Sequence, residues 1–148
     1  MIELYQGNIF DHIYEHASLA HGVNAKGRMD AGIAVEFKRR YPAMFREYQR
    51  QCMSGALRPG RIFFWDKESG MPAVFNLVTQ EGLSSAKESF LDSAVQHVYV
   101  RAKKEGIKDI AMPQIGSGLG CLSPDVLTNV LHRYFDHSDI AITIYQKE

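Results

Sequence analysis

Two hydrophobic periods alternate along this chain, and that alternation limits its fold more than any other feature. Short runs rich in β-branched and aromatic residues repeatedly give way to stretches whose apolar residues recur at helical spacing. Ile2 to Gln6 alternates and is closed by Gly7-Asn8, which predicts a strand running into a turn. Ala17 to Asn24 is small and apolar, as suits a strand buried on both faces. From Gly32 the period changes: Ile33, Ala34, Phe37 and Tyr41 share a helical face, with Glu36, Lys38, Arg39 and Arg40 outside it. Pro42, tolerated in a first helical turn, opens a second helix that continues through Cys52 and is stopped by Gly55 and Pro59-Gly60. Arg61 to Trp65 and Ala73 to Thr79 read as neighbouring strands of a hairpin, with one side of Phe63-Phe64-Trp65 expected in the core. Leu91, Ala94, Val95, Val98, Tyr99 and Ala102 mark one face of a long helix that ends at Gly106. Asp109 to Pro113 is a short buried strand. Ser123-Pro124-Asp125 starts a last helix, with Ser at the N-cap and Pro at the first position, and Ile140 to Tyr145 is the final strand. The expectation is an α/β fold: a mixed sheet with helices on both faces.

The chain has 148 residues, near the usual size of one domain, and contains no repeat, low-complexity tract or linker, so one domain over 1–148 is expected. Its 17 basic and 17 acidic side chains cancel. That balance argues against a protein whose task is to neutralise a nucleic-acid backbone, and sequence-specific nucleic-acid binding is not expected. A small anion is another matter, because backbone N–H groups bind phosphate without adding net charge. Cys52 and Cys121 stand far apart with no CxxC partner, which points to a reducing, cytoplasmic setting. The first residues lack a basic stretch followed by an apolar run, so no signal peptide is expected. No apolar segment approaches the length of a membrane span, and no membrane partner is expected.

Two glycine-rich stretches carry the chemistry, Asn24-Ala-Lys-Gly-Arg-Met-Asp-Ala-Gly-Ile-Ala34 and Pro113-Gln-Ile-Gly-Ser-Gly-Leu-Gly120. Each leaves a strand and soon enters a helix. In open α/β sheets ligands bind outside the carboxyl ends of the strands, where such loops gather. Glycine lets the backbone approach a ligand with positive φ, and a helix N-terminus adds partial positive charge. Either loop alone is more often a tight turn. Two together can clamp a diphosphate. The second lacks the GxGxxG spacing of a dinucleotide fingerprint, and no GxxxxGK[ST] sequence occurs.

Gly7-Asn8-Ile9, the run from His21 to Pro42 (HGVNAKGRMDAGIAVEFKRRYP), Leu77-Val78-Thr79, MPQIGSGLG from Met112 to Gly120, and ITIYQ from Ile142 to Gln146 together resemble the macrodomain family. The similarity spans essentially the whole chain. It is greatest to the branch of terminal ADP-ribose protein glycohydrolases, DNA ADP-ribosyl glycohydrolases and ADP-ribose-1''-phosphate phosphatases. The resemblance implies a three-layer α/β/α macrodomain with a central mixed β-sheet, and ADP-ribose or a related nucleotide as ligand. It implies no cofactor, and it extends the partners to ADP-ribosylated macromolecules. It places Asn8 and Ile9 at the adenine, where an acid is usual at the position of Asn8, and Tyr145 beside the base. Asn24 falls where an amide meets the distal ribose. Gly32, Ile33 and Ala34 belong to the first diphosphate loop, and Gly116, Ser117, Gly118 and Leu119 to the second.

The catalytic pattern departs from that of the branch. Its glycohydrolases carry a lysine after the Leu-x-Thr segment and an acid after the second glycine loop. Here Thr79 is followed by Gln80, and Gly120 takes the place of the acid, although these residues still belong to the expected ligand site. Lys87, in Ser85-Ala86-Lys87-Glu88, reads as a solvated helix start. Two catalytic candidates are left. His21, read as a strand-end residue, is either an acid–base group or a hydrogen-bonded structural histidine. Asp30, which replaces a glycine in the first loop, either orients a water at the distal ribose or faces solvent. His12 and His16 have the i,i+4 spacing of a metal pair, but no third ligand follows, and no metal is expected. Lys38-Arg39-Arg40 reads as the wet face of a helix. Two functions stay open: a hydrolase of an ADP-ribose derivative, with the 1''-phosphate monoester favoured, and a non-catalytic reader or scavenger of the nucleotide.

Overall fold

The computed structural model describes residues 1–82, 85–117 and 121–147. Each apolar run becomes a strand of one six-stranded sheet: β1 (Ile2–Gln6), β2 (Ser18–Asn24), β3 (Ile62–Trp65), β4 (Ala73–Gln80), β5 (Asp109–Pro113) and β6 (Ala141–Gln146). The order across the sheet is β1-β6-β5-β2-β4-β3. All neighbours are parallel except the β3–β4 hairpin, so the sheet is mixed. Helices α1 (Ile33–Arg40) and α2 (Pro42–Ser54) follow β2, α3 (Glu88–Glu105) follows β4, and α4 (Pro124–Phe135) follows β5.

The period-two alternation of the strands divides the core between the two faces. Ala20, Phe75, Leu77, Ile110 and Ile142 point toward Leu91, Val95 and Val98 of α3 and Leu127, Val130 and Leu131 of α4. Leu19, Val23, Val74, Val78 and Ala111 point the other way, toward Phe37, Tyr41, Met44 and Tyr48 of α1 and α2. The result is the three-layer α/β/α arrangement expected from the sequence. Strand β3 is more enclosed than its alternation suggested. Phe63 and Trp65 pack on the α2 side, while Phe64 meets Phe75 and the Arg101 guanidinium on the other.

Helix ends follow the sequence closely in two places. Gly55 and Gly106 adopt left-handed conformations (φ +80° and +70°) and close α2 and α3. At the start of α2 the exposed backbone donors are met from a distance, by a Glu68 carboxylate oxygen 3.0 Å from the Ala43 nitrogen and 3.2 Å from that of Met44. Ser123 occupies the N-cap of α4 with extended backbone, but its side chain makes no capping bond, and its backbone carbonyl accepts from Val126 N–H instead. Two single 3₁₀ turns, Ile9–Asp11 and Ile13–Glu15, carry the chain from β1 to β2 and bury Ile9 and Ile13.

This topology opens a crevice. From β2 the chain winds outward to β3 at the sheet edge and turns back into β4, whereas from β5 it goes to β6 on the opposite side, so the direction of winding switches between β2 and β5. Pairing between these two strands is confined to Ser18↔Ile110 and Leu19↔Ala111. Beyond that point the ladder ends, and their carboxyl ends are free to admit a ligand.

Candidate functional site

A cleft of about 530 Å³ runs along the carboxyl edge of the sheet and gathers residues from both glycine-rich loops. Strand order fixes its direction. At the β1–β6 end lie Asn8, Ile9 and Tyr145; over β5 lie Gly116 and Ser117; at the β2–β4 end lie Asn24, Thr79 and Gln80. Asp30, Gly32, Ile33 and Ala34 of the first loop also line it.

The first loop is held open by its own side chains. The Asn24 carboxamide oxygen accepts from the Lys26 and Arg28 N–H groups (2.9 and 3.3 Å), and its nitrogen donates to the Arg28 carbonyl at 3.0 Å. The Tyr48 hydroxyl, rising from α2, donates to the Asn24 carbonyl at 2.6 Å and lies 3.1 Å from its side-chain oxygen. Burial pushes that phenol up from its ordinary value, so it remains a proton donor. Gln49 donates to the Gly27 carbonyl at 3.1 Å, Met29 is fully buried, and the Ala25 N–H meets the carbonyls of Gln80 and Glu81. Asn24 thus builds the loop as well as lining the cleft, and one of its amide hydrogens has no acceptor among the described residues.

Gly32 sits at the N-cap of α1 with φ +62° and ψ −145°, a region essentially closed to other residues. Having no side chain, it leaves the first N–H groups of α1, those of Ile33 and Ala34, open to a ligand. In the second loop Gly116 has φ +87°, and a Cβ there would come within 3.0 Å of Leu122 Cδ1. That loop closes through Leu122 N–H to the Gly116 carbonyl at 2.7 Å and the Ser117 hydroxyl to the Gln114 carbonyl at 2.9 Å. Gly118, Leu119 and Gly120, also expected here, lie outside the described residues.

Between the loops the floor is Gly22, and a Cβ there would lie 3.1 Å from Ile115 Cγ2 and 3.2 Å from Thr79 Oγ1. Gly22, Arg28, Gln114 and Gln146 are lining residues that sequence reasoning missed. A glycine inside an otherwise apolar strand was the available signal for Gly22. The glutamines carried none.

The expectation for His21 as an acid–base group is corrected. Strand β2 runs on to Asn24, so His21 is a mid-strand residue and not a strand-end one. It is fully buried, stacks on Phe37 of α1 with ring centroids 3.8 Å apart, and does not line the cleft. Asn76 donates its amide to the Phe63 carbonyl, so its oxygen is the acceptor for His21 Nε2–H at 2.6 Å. Burial lowers the His21 pKa to about 4, which keeps the ring neutral. Asp30, in contrast, is in the cleft, with its carboxylate largely exposed and 3.9 Å from the Lys38 ammonium. Gln80 donates to the Gly82 carbonyl at 2.8 Å. Lys87 stands at the exposed start of α3 over the Phe90 ring and does not line the cleft.

Comparison with known proteins shows the family and the fold. The model of the Macro domain family matches residues 20–131, and the chain belongs to the macrodomain family. It is 32% identical over 136 residues to human ADP-ribose glycohydrolase OARD1, covering 86% of this chain and 80% of that protein. It is 28% identical over 133 residues to an ADP-ribose 1''-phosphate phosphatase of Candida albicans, covering 80% and 84%. The macrodomain of Mycobacterium tuberculosis DarG superposes with a TM-score of 0.90 at 28% identity, over 98% of this chain and 97% of that one. The first curated relatives are DNA ADP-ribosyl glycohydrolases, and the chain spans only 38–41% of their length.

Proposed function

We propose that this macrodomain binds ADP-ribose along the cleft and hydrolyses a derivative of it, with the 1''-phosphate monoester preferred over a lysine-type glycosidic substrate. The observation that carries the reading is the convergence of the Gly32–Ala34 and Gly116–Ser117 backbones on one crevice at the sheet's switch point. The diphosphate lies between these loops, the adenine at the Asn8, Ile9 and Tyr145 end, and the distal ribose toward Asn24 and Asp30. A hydrogen bond from one loop N–H to a phosphate contributes roughly 1.5–3 kcal/mol.

Gln80 stands where a nucleophilic lysine would be needed, and an amide does not attack an anomeric carbon. Asp30 is the acidic residue among the described residues that line the cleft, and it suits the alternative chemistry. Its carboxylate accepts a proton from water as that water attacks phosphorus. The phosphorus–oxygen bond to the ribose then breaks, and the sugar oxygen takes a proton from solvent. ADP-ribosylated macromolecules fit the same reading as larger carriers of the distal ribose.

Calorimetric titration with ADP-ribose, followed by a phosphate-release assay on ADP-ribose 1''-phosphate, tests the two parts. Binding tighter than about millimolar, or about 4 kcal/mol, and phosphate release above a blank are expected. No binding at that level overturns the whole reading. Binding without release from any ADP-ribose derivative establishes a reader, the second reading, which Gln80 and the burial of His21 favour.

A further inference from the structure

The two histidines of the segment between β1 and β2 converge on Tyr145, the residue at the base end of the cleft. His16 Nδ1 lies 3.1 and 3.2 Å from the two carboxylate oxygens of Asp109, and its Nε2 lies 2.7 Å from the Tyr145 hydroxyl. A carboxylate only accepts, so Nδ1 carries the hydrogen. In the neutral ring Nε2 is then the acceptor for the tyrosine O–H. Asp109 is itself fixed, because the Ala17 N–H donates to its Oδ2 at 2.8 Å. The imidazole is nearly enclosed, with 9% of its side chain exposed. His12 stacks on the same tyrosine ring, centroids 5.5 Å apart and planes 21° from parallel, and Tyr5 meets it edge-on at 5.2 Å. His12 is steadied in turn by Glu15 at 2.7 Å.

We infer that His16, oriented by Asp109, is a positioning residue that fixes the Tyr145 ring for recognition of the nucleobase. The inference rests on the proposed nucleotide cleft. Packing by Tyr5 and His12 confines the ring but does not hold its hydroxyl end, and ordering whatever freedom is left there on binding opposes association. Tying the hydroxyl at the far end of the ring removes that freedom before the ligand arrives. Neither histidine lines the cleft. They act through the tyrosine. The single 3₁₀ turn that separates His12 and His16, Ile13–Glu15, sets one ring on the face of Tyr145 and the other at its hydroxyl. A regular helix would have set both on one stripe instead.

The test is a double-mutant cycle in ADP-ribose affinity using His16→Ala, Tyr145→Phe and the pair, with thermal melting of each variant. Each single change is expected to weaken ADP-ribose about 3- to 10-fold, the scale of one immobilised side chain. The double variant should lose no more than the larger single, and His16→Gln, whose amide reaches the same hydroxyl, should keep most of the affinity. Affinity for the uridine counterpart of ADP-ribose, whose smaller ring overlaps Tyr145 less, should change under twofold. Additive losses, or equal losses for both nucleotides, overturn the positioning role. Failure of the unmodified protein to bind ADP-ribose overturns the nucleotide reading beneath it. Normal binding by the unmodified protein and by His16→Ala alike overturns this inference alone.

Discussion

Two glycines with positive φ and the same open surroundings separate ligand binding from stability. Gly32 has φ +62° and ψ −145°, and Gly55 has φ +80° and ψ +3°. A Cβ built on either meets nothing within 4 Å, so replacement by alanine costs backbone energy without a clash. The region occupied by Gly32 costs about 1–3 kcal/mol for a residue with a side chain. Its loop borders the cleft, so the chain can escape that cost by turning the Ile33 and Ala34 N–H groups away from the ligand. Gly32→Ala is therefore expected to weaken ADP-ribose about 5- to 150-fold, the same energy at 1.4 kcal/mol per tenfold, with little change in melting temperature. Gly55 closes α2 outside the cleft, where left-handed alanine costs about 1–2 kcal/mol. Gly55→Ala should lower the melting temperature by about 2–8 °C and leave affinity unchanged. Calorimetry and thermal melting on both variants read the two effects. Full ADP-ribose affinity in Gly32→Ala, or an equal affinity loss in both variants, would refute the assignment of a phosphate cradle to this loop.

Asp30→Asn should leave ADP-ribose affinity within a fewfold while lowering phosphate release about 10²- to 10⁴-fold, and unchanged turnover in a single-turnover assay removes Asp30 from the chemistry. Tyr48→Phe deletes the donor to the Asn24 carbonyl and should cost about 1–3 kcal/mol in urea unfolding together with a measurable loss of affinity. An unaltered affinity there means that the first loop keeps its shape without α2. His21 should make stability depend on pH. Its pKa falls from 6.5 to about 4 on folding, so the unfolded chain binds the extra proton between those values and stability drops as pH falls through that window. That difference corresponds to about 3 kcal/mol, to be seen as a part of the fall in unfolding free energy from pH 7 to 4 that His21→Gln removes; an unchanged slope in that variant refutes it.

Much of the candidate cleft was legible because glycines mark the loops that line it. Gly32 and Gly116 announce themselves in a sequence, since no other residue adopts their geometry without strain, and both line the cleft. Asn24 was legible as a cleft residue, but not as the scaffold of its own loop, because Tyr48 and Gln49 reach it from α2, more than twenty positions away. His21 shows the opposite failure. Its place in the chain, three residues before Asn24, suited a catalytic group, and only the stacking of Phe37 and the bond to Asn76 reveal a core residue.

The sequence by itself determined the alternation of strands and helices, the β3–β4 hairpin, the glycine stops of α2 and α3, and the two loops that carry the amide donors. These depend on local dihedral preference and on the spacing of apolar residues, both written in adjacent positions. Tertiary structure alone decided that β2 and β5 part beyond Leu19 and Ala111, that His12, His16 and Asp109 surround Tyr145, and that Asp30 reaches the cleft while His21 does not. Those outcomes depend on which distant segments pack together, and packing is set by the whole core rather than by any local stretch of chain.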